Sequence, residues 1–260
     1  MSPTSTATPP TTLQELKRIP AAEWKAILNG DAVQARQWVQ TAAQLGHSEA
    51  QVVLGQWLLD GRGGPRDAEQ ALQWFLKAAS QKHAMGINMA GRCYENGWGT
   101  AENLSRATEL YLQAAELGLD AGMYNYANQL ASGKCIPQNH RKALGWYSAA
   151  ADLGHAKSKT KAGRYFEDGL IVEKNLGMAL SCYQQAAEGG DFRGQFCYAG
   201  MLAGQGKLEE ALFWLRKVPL TATPAYMAEA GRLLQDSAEG EFRRIGSDML
   251  ELAASRRQAA

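Results

Sequence analysis

No stretch of this chain approaches the ~20 consecutive apolar residues that cross a bilayer. Its first dozen residues, MSPTSTATPPTT, contain neither the basic region nor the apolar run of a secretory leader. Both absences argue for a cytoplasmic protein with no membrane insertion. An excess of one charge is missing too: 27 Lys and Arg stand against 26 Asp and Glu, so no global field draws the chain to nucleic acid or an anionic surface. Cysteine is scarce. Cys93, Cys135, Cys182 and Cys197 form no C-x-x-C and keep no regular spacing, which argues against a disulfide framework and for free, mostly buried thiols. The Ser, Thr and Pro of residues 1–11 offer too little apolar surface to offset the entropy of ordering, and a disordered tail is expected there.

Against these absences, 45% hydrophobic residues in a chain of 260 can build a substantial core. They recur with a period. The pair Ala-Ala begins at Ala42, Ala78, Ala114, Ala150 and Ala186, a constant step of 36 residues with no insertion. Gly55, Gly91, Ala127, Gly163 and Ala199 keep the same step, as do Gly61, Gly97, Gly133 and Gly169, and Asp67, Asn103, Asn139 and Asn175.

Each column has a physical duty. Segments such as AQVVLGQWLLDG and AMGINMAGRCYENG space apolar and small residues three and four apart, which predicts an amphipathic helix, A, whose central glycine admits a close neighbour. Gly61 and its equivalents end that helix in the left-handed conformation. After a short loop, the Asp or Asn column caps a second helix, B, read in AEQALQWFLKAA and LSRATELYLQAA. A column of bulky residues, Trp38, Trp74, Leu110, Trp146 and Cys182, lies on helix B, and Gly118, with Gly46, Gly154 and Gly190, stands at the joint from B to the next A. Lys82 breaks that last column.

The organisation expected is a disordered tail over 1–11, a capping helix pair over 12–43, four 36-residue repeats over 44–187, a shortened repeat over 188–219, and capping helices with a short tail over 220–260. Leu54-Gly55 through Gly61, followed by Ala71, Trp74, Phe75, Lys77, Ala78 and Ala79, resembles the LG-x-x-Y-x-x-G and K-A-x-x-W-Y-x-K-A-A pattern of Sel1-like repeats, relatives of the tetratricopeptide repeats. The resemblance implies an all-α, right-handed superhelical solenoid of antiparallel helix pairs that binds other proteins as an adaptor or scaffold. Fold alone does not name the partner.

Residues able to do chemistry are few. His47, His83 and His155 share one column, so they form a row one or more repeats apart and cannot converge on a metal. Ser158-Lys-Thr-Lys161 spells S-x-x-K, the nucleophile motif of penicillin-recognising enzymes, without the S-D-N or K-T-G that would accompany it. A β-lactam-binding enzyme and a self-associating structural protein, paired through a solenoid end, remain the alternatives to a non-enzymatic adaptor. The loop Gly61-Arg-Gly-Gly64 precedes no G-K-[ST] and is no phosphate cradle. No cofactor and no metal are expected. Helix A columns beside the packing face read Val53, Met89, Asn125, Lys161, Cys197 and Gln56, Arg92, Asn128, Arg164, Gly200. Arg92, Asn125, Asn128, Lys161 and Arg164, with Trp98 in an A-to-B loop, are therefore the candidate residues for a protein or peptide partner on a concave face.

Overall fold

The computed structural model describes residues 9–258, so residues 1–8 of the expected tail lie outside the described part. Within it there are fifteen helices and no strand. They fall into two compact units, Met1–Pro137 and Gln138–Ala260. The first holds α1 (Leu13–Arg18), α2 (Ala21–Asn29), α3 (Ala32–Gln44), α4 (Ser48–Asp60), α5 (Ala68–Ser80), α6 (Ala84–Asn96), α7 (Leu104–Glu116) and α8 (Asp120–Ser132). The second holds α9 (His140–Asp152), α10 (Ala156–Asp168), α11 (Leu176–Glu188), α12 (Phe192–Gly204), α13 (Leu208–Thr221), α14 (Pro224–Gln235) and α15 (Gly240–Gln258).

Local chemistry sets these boundaries. Gly61, Gly97, Gly133 and Gly169 close the A helices at φ of 76°, 68°, 67° and 69°, a region that costs an L side chain roughly 1–2 kcal/mol. Asp67, Asn103, Asn139 and Asn175 open the B helices, each side-chain oxygen accepting the backbone N–H three residues on at 2.8–2.9 Å. At the B-to-A joint the left-handed residue lies one step past the helix cap: Leu117 is the cap of α7 and Gly118, at φ 84°, follows it. Lys82 adopts φ 60° in the glycine's place.

The packing corrects one expectation. Trp38 and Leu110 are buried, but Trp74, Trp146 and Cys182 of the same column are only half-buried. The ring that fills the core is the next residue along helix B: Phe75, Tyr111, Tyr147 and Tyr183 are at most 1% exposed. That ring requires the helix A glycine. A Cβ added at Gly55, Gly91 or Gly163 would stand 2.6–2.8 Å from the ring of Phe75, Tyr111 or Tyr183, closer than packed carbon atoms come. The alanine pair has a matching duty, because a Cβ at Gly86 or Gly122 would stand 2.6 or 2.7 Å from the methyl of Ala78 or Ala114.

The ends differ from the regular repeats. Where one helix pair is expected over 12–43, three helices form, with Pro20 capping α2 and no side chain of α2 buried. At the other end the loop between α12 and α13 shrinks to residues 205–207, against 61–67 between α4 and α5. There α14 and α15 cross through Gly231 and Gly246, where a Cβ on either would stand 2.8 Å from the other's carbonyl oxygen.

Within each unit successive A helices lie side by side, α4 on α6 and α6 on α8 in the first and α10 on α12 in the second. Successive B helices pack on one another comparably only at the end of the second unit, α13 on α15. The A helices therefore line the inner side of each stack, which puts the candidate residues on one kind of surface.

Candidate partner-binding surface

In the first unit the inner surface is tied to itself. Asn125 of α8 donates from Nδ2 to Oδ1 of Asn88 on α6 at 2.9 Å, and Asn88 is buried. One turn on, Glu95 accepts from Gln129 Nε2 at 2.8 Å through one oxygen and from the Tyr111 hydroxyl at 2.6 Å through the other. Burial and this hydrogen bond to a carboxylate push the Tyr111 hydroxyl well above the usual phenol range. Asn128 is half-buried and engaged within the chain. The Arg92 guanidinium lies 5.2 Å from the centre of the Trp98 ring. Trp98 is not an exposed anchor: it is half-buried against the core of this unit, and Arg92 covers it.

The second unit presents the same face with different contents. Lys161 and Arg164 stand one turn apart on α10, and Arg193 rises beside them from α12, its guanidinium 4.6 Å from the Phe192 ring and 5.1 Å from that of Tyr226 on α14. Arg164 lies beside the Cys197 thiol. None of these three cations pairs with a carboxylate of the described residues. Burial, then the neighbouring charges of Arg164 and Arg193, hold the Lys161 ammonium below its ordinary pKa, and nearby Asp191 offsets this only in part. Asp191 is itself buried, with one oxygen accepting from Thr160 Oγ1 at 2.6 Å and from the Gly194 backbone at 3.0 Å. Glu167, the other nearby acid on α10, accepts from the Tyr183 hydroxyl at 2.6 Å.

A groove of about 560 Å³ continues this surface. Leu176, Leu180, Phe196, Cys197 and Met201 line it together with Glu167 and Gln205, so Cys197 belongs both to the groove and to the cationic cluster.

The histidine row has a structural task that its spacing alone did not disclose. His47, His83 and His155 each accept, through Nδ1, the backbone N–H three residues on at 3.3 Å and so cap α4, α6 and α10. Asp191 does the same for α12, while Leu119 leaves α8 without a side-chain cap. The recurring position before each A helix was the available signal. Ser158, the nucleophile of the S-x-x-K reading, is 0% exposed and hydrogen-bonded to His155 Nδ1 at 2.9 Å. It takes the small, buried place of Gly86 and Gly122. The loop glycines also work by close approach: a Cβ at Gly63 would overlap the carbonyl of Ala32, and one at Gly99 that of Ala68. Arg193 was missed, since it lies outside the two helix A columns singled out in the sequence.

The Sel1 repeat model matches residues 27–47, 48–83, 84–119, 120–155 and 156–191. The chain belongs to the Sel1 repeat family. Sel1 repeat solenoids commonly serve as protein-interaction modules. Among solved structures the chain resembles a Sel1 repeat protein from Oxalobacter formigenes, at 20% identity and a TM-score of 0.76 over 90% of this chain and 99% of that one. It also resembles c5321, a protective antigen of uropathogenic Escherichia coli with an SLR fold, at 25% identity and a TM-score of 0.65 over 93% of this chain and 55% of that one. The immunity protein Pa5087 from Pseudomonas aeruginosa matches at 15% identity and a TM-score of 0.56, over 80% and 81% of the two chains. No curated protein matches the chain. The all-α solenoid expected from the sequence is the fold of these Sel1 structures. No helix among the described residues is long and apolar enough to cross a membrane.

Proposed function

We propose that this Sel1 repeat chain is a non-enzymatic, cytoplasmic adaptor that holds a protein or peptide partner on the inner, A-helix surface of its repeats. The observation that carries the reading is the set of polar side chains on that surface, above all Lys161 and Arg164 of the second unit, which form no ion pair with a carboxylate of the described residues. Arg92, Trp98, Asn125 and Asn128 form the corresponding, neutral-to-basic surface of the first unit. The burial of Ser158 and the capping duty of the histidines support a binding role over a hydrolytic one. The irregular cysteine spacing supports the cytoplasm.

The test is capture of a partner from the native host by the immobilised chain, followed by hydrogen exchange of the purified complex. The reading expects protection on the exposed faces of α6, α8, α10 or α12. Protection confined to B helices would refute it, and so would turnover of a β-lactam abolished by Ser158→Ala.

A further inference from the structure

The inner surface of the second unit holds more positive charge than its own acids neutralise. Lys161, Arg164 and Arg193 converge from α10 and α12 and outnumber the two acids beside them, Asp191, which is sealed beneath, and Glu167, which accepts from Tyr183 and keeps its charge. The chain as a whole is balanced at +1, so this is a local concentration of charge and not a share of a basic surface. In the columns of Lys161 and Arg164, the first unit has Val53, Met89, Asn125 and Gln56, Arg92, Asn128, and its single cation there rests on Trp98. Half-burying an ammonium beside two guanidinium groups is unfavourable for the free protein, and an anion placed among them would relieve the repulsion. Two features select the kind of anion. Phe192 and Tyr226 hold the Arg193 guanidinium in place, and a groove with Leu180, Phe196 and Met201 on its walls and Glu167 at its α10 side opens at Cys197, beside Arg164.

We propose that the α10–α12 face of the second unit is a docking site for an acidic peptide segment of a partner protein, its carboxylates held by Lys161, Arg164 and Arg193 and an adjacent apolar side chain seated in the groove against Phe196 and Met201. This rests on the interaction-module reading and adds the chemistry of the partner. Guanidinium groups match carboxylates with two parallel hydrogen bonds. A nucleic acid draws its affinity from many phosphate contacts along a basic track, which three cations beside this groove do not supply.

The test uses the full chain and fluorescence anisotropy with a labelled peptide of Asp, Glu and Leu, its Asn and Gln counterpart, and an oligonucleotide and inorganic phosphate as competitors. The acidic peptide should bind, weaken with added salt, and outlast both competitors. Lys161→Gln, Arg164→Gln and Arg193→Gln should each weaken it about tenfold, the size of one charge-assisted hydrogen bond. Arg193→Lys, which keeps the charge but loses the paired hydrogen bonds, should weaken binding less than Arg193→Gln, Lys142→Gln on α9 should leave it unchanged, and circular dichroism melts confirm that each variant is folded. Equal binding of the neutral peptide, indifference to all three charge removals, or displacement by phosphate or oligonucleotide in preference to the peptide would overturn the proposal. If no acidic peptide binds while a captured partner still protects the A helices, the acidic assignment fails and the adaptor reading stands. If protection falls only on B helices, the adaptor reading itself has failed.

Discussion

One helical scaffold carries two kinds of inner surface. In the first unit polar groups on neighbouring A helices bond to each other, as Asn125 does to Asn88 and Gln129 to Glu95. In the second, Lys161, Arg164 and Arg193 form no ion pair with a carboxylate of the described residues. The difference teaches that a repeat fixes packing columns and leaves the columns beside them to vary. A surface satisfied by its own side chains contributes to folding, and the charged surface of the second unit is the one proposed above to hold a partner.

If that division is right, the packing columns should respond alike in both units. Gly91→Leu in the first and Gly163→Leu in the second should each destabilise by about 3 kcal/mol or more, since the added side chain meets a ring already fully enclosed. Urea unfolding midpoints measure this. A neutral outcome in either unit would break the common A/B packing.

The tyrosine hydroxyls should distinguish the units. Tyr183→Phe removes the hydrogen bond that Glu167 accepts, whereas Glu95 keeps Gln129 when Tyr111 becomes Phe. We expect a loss of ~2 kcal/mol for Tyr183→Phe against ~1 kcal/mol for Tyr111→Phe by the same unfolding measurement. Equal losses would remove the contrast. Both hydroxyls, like that of Tyr226, titrate in the fold above the ordinary phenol value of 10.0. Above that pH the unfolded chain releases protons that the native chain retains, so stability is fully present below it and falls as pH rises. The Cys93 thiol, raised to about 11 by burial, adds to the loss as pH passes from 9.0 to about 11. Thermal melts across this range should show a steep decline, and a flat profile would contradict the burial of these groups.

On the inner surfaces, opposite signs are expected. Asn125→Ala strands the buried Asn88 oxygen and should cost ~1 kcal/mol. Lys161→Met removes a half-buried cation from two like charges and should be neutral or stabilising by up to ~1 kcal/mol. Destabilisation by both would mean that Lys161 serves folding. The smallest effect lies at the joint of the 36-residue repeats where Lys82 replaces glycine: Lys82→Gly should stabilise by roughly 0.5–1 kcal/mol, because relief of a side chain at φ 60° outweighs the freedom the unfolded chain gains.

The sequence disclosed the architecture because its signals are local and periodic. Gly61 and its equivalents, the Asn103, Asn139 and Asn175 caps and the Ala-Ala pair declare themselves by a step of 36 residues. What it hid depends on contacts between helices. Phe75 and Tyr147 were overshadowed by the neighbouring Trp74 and Trp146, since periodicity alone does not tell which of two adjacent large residues points inward. The His47, His83 and His155 caps looked like an idle row, because imidazole is not a usual capping group. For the candidate surface, Lys161 and Arg164 were found from their column. Arg193 was not, and Asn125 and Trp98 looked more available than they are, because hydrogen bonding and ring packing between distant segments leave no mark in spacing.

The most direct test compares the two inner surfaces against one partner. The partner captured from the host would be titrated by calorimetry into the unaltered chain, a Lys161→Glu, Arg164→Glu variant and an Asn125→Ala, Asn128→Ala variant, each shown to be folded. Loss of binding in the charge-reversed variant, with affinity retained in the asparagine variant, is the predicted result. The reverse pattern, with binding retained on charge reversal and lost with the asparagines, would contradict it.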